Sequence, residues 1–580
     1  MDFQDTLDAD VPFVDSSDTE NYTDVVNVST FLTEAAQISP YRRAVVYPAS
    51  RDKFGRVAYA HLTFLQLDQE SDRLARGLST AGISRGVRTI LMVPPGPEFF
   101  ILTFALFKAG AVPVVVDPGM GIDRMLQCLS ESRARGFIGI PKAHMLRLFS
   151  RRHFSSVRTW VTVGKRWFWG GYTLNGLASR AWEPFSVAKT KAEEIAAVLF
   201  TTGSTGPAKG AIYTHGNFDA QIRQIGSHFQ ISPDEIDLPT FPLFALFDPA
   251  LGMTAVIPDM DPTRPAKANP ERIIEAIFDH GVTNMFASPA LLNRLGRYGE
   301  KHGIKLPSLK RVVSAGAPVS ADNIERFSKM LTDSAEVHTP YGATEAVPVV
   351  SITSGEILSE TRLLSEKGFG VCIGRPLDAT EVQLIQVTDN PIPEWSEDLV
   401  VPAGEIGEIT VKGELVTRGY FERPKDDSLA KIRDGDSIRH RMGDLGWLDK
   451  AGRIWFCGRK SQRVITKQGT LFTIPCETIF NLHPSVYRSA LVGVGKRLNQ
   501  VPVICIELEK HQKKDPKEIV RELLNMAVSN PQTEDIKIIL FHKDFPVDIR
   551  HNSKIFREKL SDWAEKQIQE KKEKPIEAVK

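Results

Sequence analysis

The segment Leu199–Gly210, LFTTGSTGPAKG, carries the densest set of residues able to hold an anion. An apolar run feeds a loop with Gly203, Gly206 and Gly210, hydroxyls at Thr201, Thr202, Ser204 and Thr205, and one cation, Lys209. Glycines let backbone N–H groups converge on an anion, and the hydroxyls and the ammonium add donors and charge. Such a loop suits a pyrophosphate or a triphosphate. It is not a Walker A loop, because Lys209 is followed by Gly210 and not by Ser or Thr.

Further short segments place reactive side chains downstream. Ser314–Pro318 (SAGAP) offers Gly316, Ala317 and Pro318 after a strand end, where a flat ring can lie on the backbone. Tyr341–Glu345 (YGATE) joins an aromatic ring, Gly342, the Thr344 hydroxyl and the Glu345 carboxylate. A lone carboxylate suits Mg²⁺, which takes one or two of them and completes its shell with phosphate oxygens and water. His440–Asp444 (HRMGD) supplies Asp444, able to accept from two vicinal hydroxyls, and Gly458-Arg459 adds a cation. In Phe545–Lys559 (FPVDIRHNSKIFREK), Lys554 precedes Phe556, Leu560 and Trp563 at i, i+4 and i+7. The lysine therefore stands at the start of an amphipathic helix. Phe241–Gly252 (FPLFALFDPALG) reads equally as the wall of an acyl pocket, through Phe244 and Phe247, or as plain core. Asp248 is its only charge and a candidate contact to a polar group of a substrate.

The elements that must position these residues read as α/β. Short apolar runs at Thr89–Val93, Val112–Val116, Ala197–Thr201 and Arg311–Ser314 predict strands, and helix-period stretches such as Thr63–Leu78 and Glu271–Phe278 lie between them. Such alternation predicts parallel sheets covered by helices on both faces. Past about residue 400, Pro402–Gly413 has Gly-punctuated short strands and Gly446–Phe456 reads as a hairpin around Lys450-Ala451-Gly452. A charged break at Gly458–Arg463 separates this part from a last α/β stretch. The expected organisation is an acidic, flexible N-terminus (1–25), a large nucleotide- and acyl-binding domain (26–458), a hinge (459–463) and a small mobile C-terminal domain (464–580).

Composition narrows the class. The 580 residues are 42% hydrophobic and 25% charged, ordinary for a folded soluble chain. A net charge of +1 removes the bulk electrostatic case for a nucleic-acid partner. The five cysteines form no CxxC or zinc-ligand spacing, which fits a reducing compartment. The first 41 residues hold no Lys or Arg, so the basic region of a secretory signal is missing. The apolar stretch Phe99–Val116 is broken by Lys108 and Pro113, too interrupted for an integral membrane segment. A cytoplasmic location is expected.

Taken in order, the segments resemble the adenylate-forming superfamily of acyl-CoA synthetases, peptide-synthetase adenylation domains and luciferases. The resemblance implies a large N-terminal domain of parallel sheets sandwiched by helices, with a small β-rich subdomain, and a small hinged C-terminal α+β domain. It implies ATP and Mg²⁺. Thr201–Gly206 and Lys209 would hold the phosphates, with Thr202 among the catalytic groups. Gly316, Ala317, Pro318, Tyr341 and Gly342 would flank adenine, with Thr344 on the α-phosphate and Glu345 on the metal. Asp444 would take the ribose hydroxyls, Arg459 ribose or phosphate, and Lys554 would be the catalytic lysine. Departures are Ser461 at the hinge position, usually Asp or Lys; Ser553, where Gly is commoner; and Ala245, where many acyl-CoA synthetases have His.

Within the superfamily, FPLFALFDPALGMTAVIPDMDPTRPA, TPYGATEAVPV and FPVDIRHNSKIFREKL resemble the branch that forms β-lactones in bacterial long-chain olefin biosynthesis. That implies a 2-alkyl-3-hydroxy fatty acid as substrate and assembly with a neighbouring decarboxylase and reductase. Alternatives are a long-chain fatty acyl-CoA ligase and a non-catalytic ligand-binding protein of the same fold. The second is disfavoured by the joint retention of Lys209, Glu345, Asp444, Arg459 and Lys554.

Overall fold

The computed structural model describes residues 25–178, 183–201, 208–241, 243–510, 512–547 and 555–573. The expected N-terminal tail and its flexibility lie outside them, apart from Val25, which bridges Lys191.

Two seven-stranded sheets form the bulk of the chain. One runs Tyr172–Thr173, Thr159–Thr162, Gly136–Gly139, Arg88–Met92, Val112–Val116, Ile195–Thr201, Lys209–Thr214 in spatial order. The other runs Glu336–His338, Arg311–Ser314, Asn284–Ala287, Ile236–Pro239, Thr254–Val256, Arg43–Arg51, Val57–Thr63. Each is parallel except for one antiparallel edge strand. Helices cover them, as parallel strands buried on both faces require. The helix Phe64–Thr80 shows why such elements form where they do. Thr63 accepts from the Gln66 amide while Gln66 Oε1 accepts from the Thr63 amide, a reciprocal cap at the N-terminus.

The apolar stretch Phe99–Val116 divides into the helix Pro97–Lys108 and the strand Val112–Val116, joined through Gly110 at φ +65°. Lys108 is fully buried and pairs with Asp68 at 2.7 Å and Asp72 at 2.6 Å, both on the capped helix. Among the described residues, no helix is long and apolar enough to cross a membrane.

A third sheet of eight strands is antiparallel and accounts for the change of texture near residue 400. Its centre is the expected hairpin, Ser437–Leu448 against Ile454–Arg459, with Leu448 facing Ile454. Arg459 closes that strand, and the turn Lys460–Gln462 leads away from the sheet. Beyond it, the three strands Val486–Val494, Val501–Leu508 and Ile538–Phe541 pack with the helices Thr473–Asn481, Pro516–Val528 and Arg557–Glu573. Their apolar clusters, one around Phe480 and Leu523 and one around Leu560 and Ala564, draw only on residues after 463.

Candidate active site

A cavity of about 640 Å³ opens where the sheets meet. One end is apolar. Phe99, Phe107, Phe218, Phe244 and Phe247 line it, with the Phe244 ring 4.5 Å from that of Phe286. Of the two readings of Phe241–Gly252, the structure therefore puts Phe244 and Phe247 on a cavity wall. Ala245 is fully buried in the adjoining core. Asp248 departs from the expected role. It does not line the cavity but is buried against Asp237, and burial with this second carboxyl raises its pKa well above the usual carboxylate range. The Asp237 carboxyl is pushed up to about 7, chiefly by burial. Two carboxyls so placed and buried resist ionising together. The pair closes the short helix Phe247–Ala250 onto the strand Ile236–Pro239 and leaves substrate to the aromatic face.

The other end is polar. Lys209, Gly316, Gly342, Thr344, Glu345 and Arg459 all line it. The strand Ile195–Thr201 delivers the chain to the glycine- and hydroxyl-rich segment, and Lys209 begins the antiparallel return strand. Thr202, Gly203, Ser204, Thr205 and Gly206 lie outside the described residues, and Thr201 is described only as the last backbone position of its strand. Gly316 has φ +97°, a conformation costly for any residue with a Cβ. Ala317 is half-buried and Pro318 exposed, and neither lines the cavity.

Tyr341 and Asp444 stand together just behind the wall. The Tyr341 hydroxyl donates to Asp444 Oδ2 at 2.7 Å, and Arg459 Nε lies 3.1 Å from Oδ1. Asp444 is 2% exposed, yet its Oδ1 has no well-directed hydrogen bond. Burial raises its pKa and Arg459 opposes that rise. An under-satisfied buried acceptor is costly unless something else donates to it. A hydroxyl-bearing ligand such as ribose fits that need.

Tyr420, Asp426 and Lys431, absent from the sequence reading, complete the polar end. The Tyr420 hydroxyl donates to Glu345 Oε1. Lys209 pairs with Asp426 at 2.7 Å and sits 5.0 Å from the centre of the Tyr420 ring. Lys431 is buried, donates to the Thr417 carbonyl, and has its pKa pushed down to about 8 by burial, with Glu345 and Asp427 opposing. His440, also buried, is held neutral by desolvation and by Lys431, and its Nδ1 donates to the Ala430 carbonyl. Tyr420 arrives because Phe421 N donates to Gly210 O and Ile212 N to Gly419 O, zipping a distant loop onto the return strand, while Lys431 and His440 face each other across the pair Lys431–Asp434 and Ser437–Leu448. The one local signal was Gly419-Tyr420 amid charged residues.

The cavity also reaches Ser461 and Lys460. Lys460 Nζ lies 2.9 Å from Glu408, which also binds Arg441 at 2.6 Å. Asp389 holds Arg463 at 2.8 Å and Arg497 at 2.6 Å, joining chain segments on the two sides of the turn. Lys554 lies outside the described residues. The helix that follows it, Arg557–Glu573, is anchored by fully buried Leu560 and Ala564.

The family model described as "AMP-binding enzyme" matches residues 32–421. The chain belongs to the AMP-binding enzymes. It is 48% identical to the olefin beta-lactone synthetase of Stenotrophomonas maltophilia (strain K279a), over 94% of this chain and 99% of that protein. It is 46% identical to the olefin beta-lactone synthetase of Xanthomonas campestris pv. campestris, over 95% and 99% respectively. Among solved structures, the amide bond synthetase McbA from Marinactinospora thermotolerans superposes with a TM-score of 0.75 at 20% identity, covering 93% of this chain and 99% of that one. At that identity the likeness is one of fold. Lys209, Thr344, Glu345 and Arg459, all on the polar end of the cavity, fall within or just after the segments that the resemblance assigned to ATP.

Proposed function

We propose that the enzyme activates a long-chain 2-alkyl-3-hydroxy fatty acid with ATP and closes it to a β-lactone. The observation that carries this reading is one continuous cavity with an aromatic wall at one end and Lys209, Thr344, Glu345 and Arg459 at the other. A fatty acid laid along it presents its carboxylate to the nucleotide end. A carboxylate oxygen then bonds to the α-phosphorus, the bond to the β-phosphate breaks, and pyrophosphate leaves. The 3-hydroxyl oxygen of the same molecule bonds to the acyl carbon, loses its proton and displaces AMP. A tethered nucleophile needs no second substrate to be captured and oriented. The preference for a lactone over a thioester rests on the near-full-length similarity to two olefin beta-lactone synthetases.

The residues take the following roles in this reading. Thr201–Gly206 and Lys209 hold the phosphates, Thr202 acting close to the reacting phosphorus, and Gly316 and Gly342 flank adenine with Ala317, Pro318 and Tyr341 around them. Asp444 accepts from ribose, and Arg459 neutralises charge beside it. Glu345, a hard oxygen donor on the wall and hydrogen-bonded by Tyr420, fits Mg²⁺ as its protein ligand. Bound there, the metal offsets charge on the departing pyrophosphate. Lys554 supplies the second cation at the α-phosphate, carried by a unit of residues 464–580 that turns about residues 459–463. Delivery of product to a decarboxylase, in an assembly with neighbouring enzymes that includes a reductase, belongs to the same proposal.

Product analysis tests it. With a 3-hydroxy fatty acid, ATP and Mg²⁺ and no coenzyme A, the expected products are a β-lactone, AMP and pyrophosphate in equal amounts. An acyl thioester formed only when coenzyme A is added, with no lactone in its absence, would mean that the enzyme is a ligase.

A further inference from the structure

The near-zero net charge of the chain conceals a strongly basic stretch. Between Glu131 and Glu183 there is no Asp or Glu, while Lys and Arg number ten. This stretch forms one margin of the first sheet, from the strand Gly136–Gly139 through Thr159–Thr162 to the edge strand Tyr172–Thr173. Arg133 pairs with Glu422. Among the described residues, Arg135, Lys142, Arg151, Arg152, Arg158, Lys165 and Arg166 take part in no ion pair with a carboxylate, and Arg151, Arg152, Lys165 and Arg166 are exposed.

At the tip of this margin the loop Gly164–Gly171 reads GKRWFWGG. Its three aromatics are not equivalent. Trp169 is buried, stacks on His144 with ring centres 5.2 Å apart, and donates from Nε1 to Thr162 Oγ1 at 3.0 Å. Trp167 and Phe168 stand out, 52% and 76% exposed. The loop is braced. Arg166 donates to the Gly171 carbonyl, and Gly171 lies so close to the Trp160 backbone that a Cβ there would fall 2.6 Å from the Trp160 oxygen. Phe149, which ends the neighbouring helix Pro141–Phe149, is 82% exposed and is followed, after Ser150, by Arg151 and Arg152.

Large aromatics held outward on a braced loop, in a cationic stretch that itself contains no carboxylate, match a headgroup layer that is negative outside and apolar beneath. We infer that this edge, Lys165–Tyr172 with the basic face behind it, seats the enzyme peripherally on an anionic phospholipid bilayer. Single-stranded nucleic acid, the other polyanion, wants a groove that tracks its backbone with stacking rings along it. Here the rings stand on a tip, and none of these residues lines the cavity. The inference rests on this surface alone and is independent of the lactone reading.

The test is co-sedimentation of the full-length protein with vesicles of phosphatidylcholine, with and without phosphatidylglycerol. The protein should sediment with the anionic vesicles only, and less at high salt. Lys165→Gln, Arg151→Gln and Arg152→Gln together should weaken binding by roughly a hundredfold, at roughly fivefold per charge. Trp167→Ser with Phe168→Ser should abolish sedimentation. Both variants should keep ATP–pyrophosphate exchange on a soluble acid at the unmodified rate, since no changed residue lines the cavity. If the aromatic variant fails to fold, the charge variant, at exposed positions, decides alone. Equal binding to neutral vesicles, no binding to anionic ones, or unweakened binding by the charge variant would overturn the inference. So would duplex DNA displacing the protein from vesicles at equal phosphate concentration, which would make the edge a nucleic-acid face.

Discussion

Asp444 shows how much of the site a single residue can carry. Its carboxylate is buried, shared between Tyr341 and Arg459, and left with one oxygen poorly satisfied. Asp444→Asn keeps the volume and an acceptor for Tyr341 but loses the charge. The KM for ATP should rise about tenfold to a hundredfold, as expected when charge-assisted bonds worth about 1.5–3 kcal/mol are lost. An unchanged KM with a lowered melting temperature would make the group structural. Asp248 makes the opposite point, since its type suggested a substrate contact and its place made it half of a carboxyl pair. Its signature is in stability. Asp237 ionises near pH 7 in the fold and Asp248 well above the ordinary range, whereas both ionise near 4 when unfolded. Between pH 4 and 7 the folded state therefore holds more protons, and stability falls as pH rises through that window. Asp248→Asn should flatten that fall, read as the difference in melting temperature between pH 5 and pH 8. An unaltered difference would mean that the pair holds no extra proton. Neither behaviour is written in the local sequence, because Asp237 and Asp248 meet only through a sheet-to-helix contact.

At the scale of elements, the sequence was most legible where a pattern is local. Val112–Val116 and Arg311–Ser314 are strands to the residue, and Thr63 marks a helix start that a reciprocal cap enforces. The eight-stranded antiparallel sheet was visible only as one hairpin and as strand texture in Pro402–Gly413, where Gly407–Lys412 forms, since most of its other pairings join strands far apart in the chain. Tyr420 and Lys431 were missed for the same reason; Tyr420 reaches the site by pairing of 419–421 with 210–212 and Lys431 by its place opposite His440, contacts without local periodicity. Lys108 illustrates a break in an apolar run that turned out to be a joint between elements. It was read as a reason against a membrane segment, and it is also the fully buried bridge from one helix to Asp68 and Asp72 on another. Lys108→Met fills the space but strands two carboxylates, whose removal from water is not compensated. Removing one partner of a buried pair costs about 3–5 kcal/mol. The variant should unfold at clearly lower denaturant concentration. Adding Asp68→Asn and Asp72→Asn to it should recover much of the loss, and a Lys108→Met protein as stable as the parent would show that the bridge contributes nothing net.

At the scale of the molecule, the proposed nucleotide-binding groups and the proposed catalytic lysine lie on opposite sides of the turn Lys460–Gln462 in the chain. Lys209, Thr344, Glu345, Asp444 and Arg459 all precede it, and the apolar clusters after residue 463 are self-contained. Binding and chemistry should then separate genetically. The attacking carboxylate and the α-phosphate are both anions, and their approach concentrates negative charge at phosphorus. Lys209 is already paired with Asp426 at 2.7 Å, so a further cation is required beside the attacking oxygen. Lys554 is the residue of the right type, next to a helix fixed by Leu560 and Ala564. Removing one preorganised charge-stabilising donor typically slows a reaction by about 10²–10³. Lys554→Ala should lower pyrophosphate release by that amount while the dissociation constant for ATP, measured by calorimetry, stays at the parent value. The turn itself is held by Asp389 between Arg463 and Arg497 and by Glu408 on Lys460, so the variant should keep the parent's circular dichroism and melting temperature. A fall in ATP affinity equal to the fall in rate would make Lys554 a binding group, and near-normal pyrophosphate release would remove it from the first half-reaction altogether.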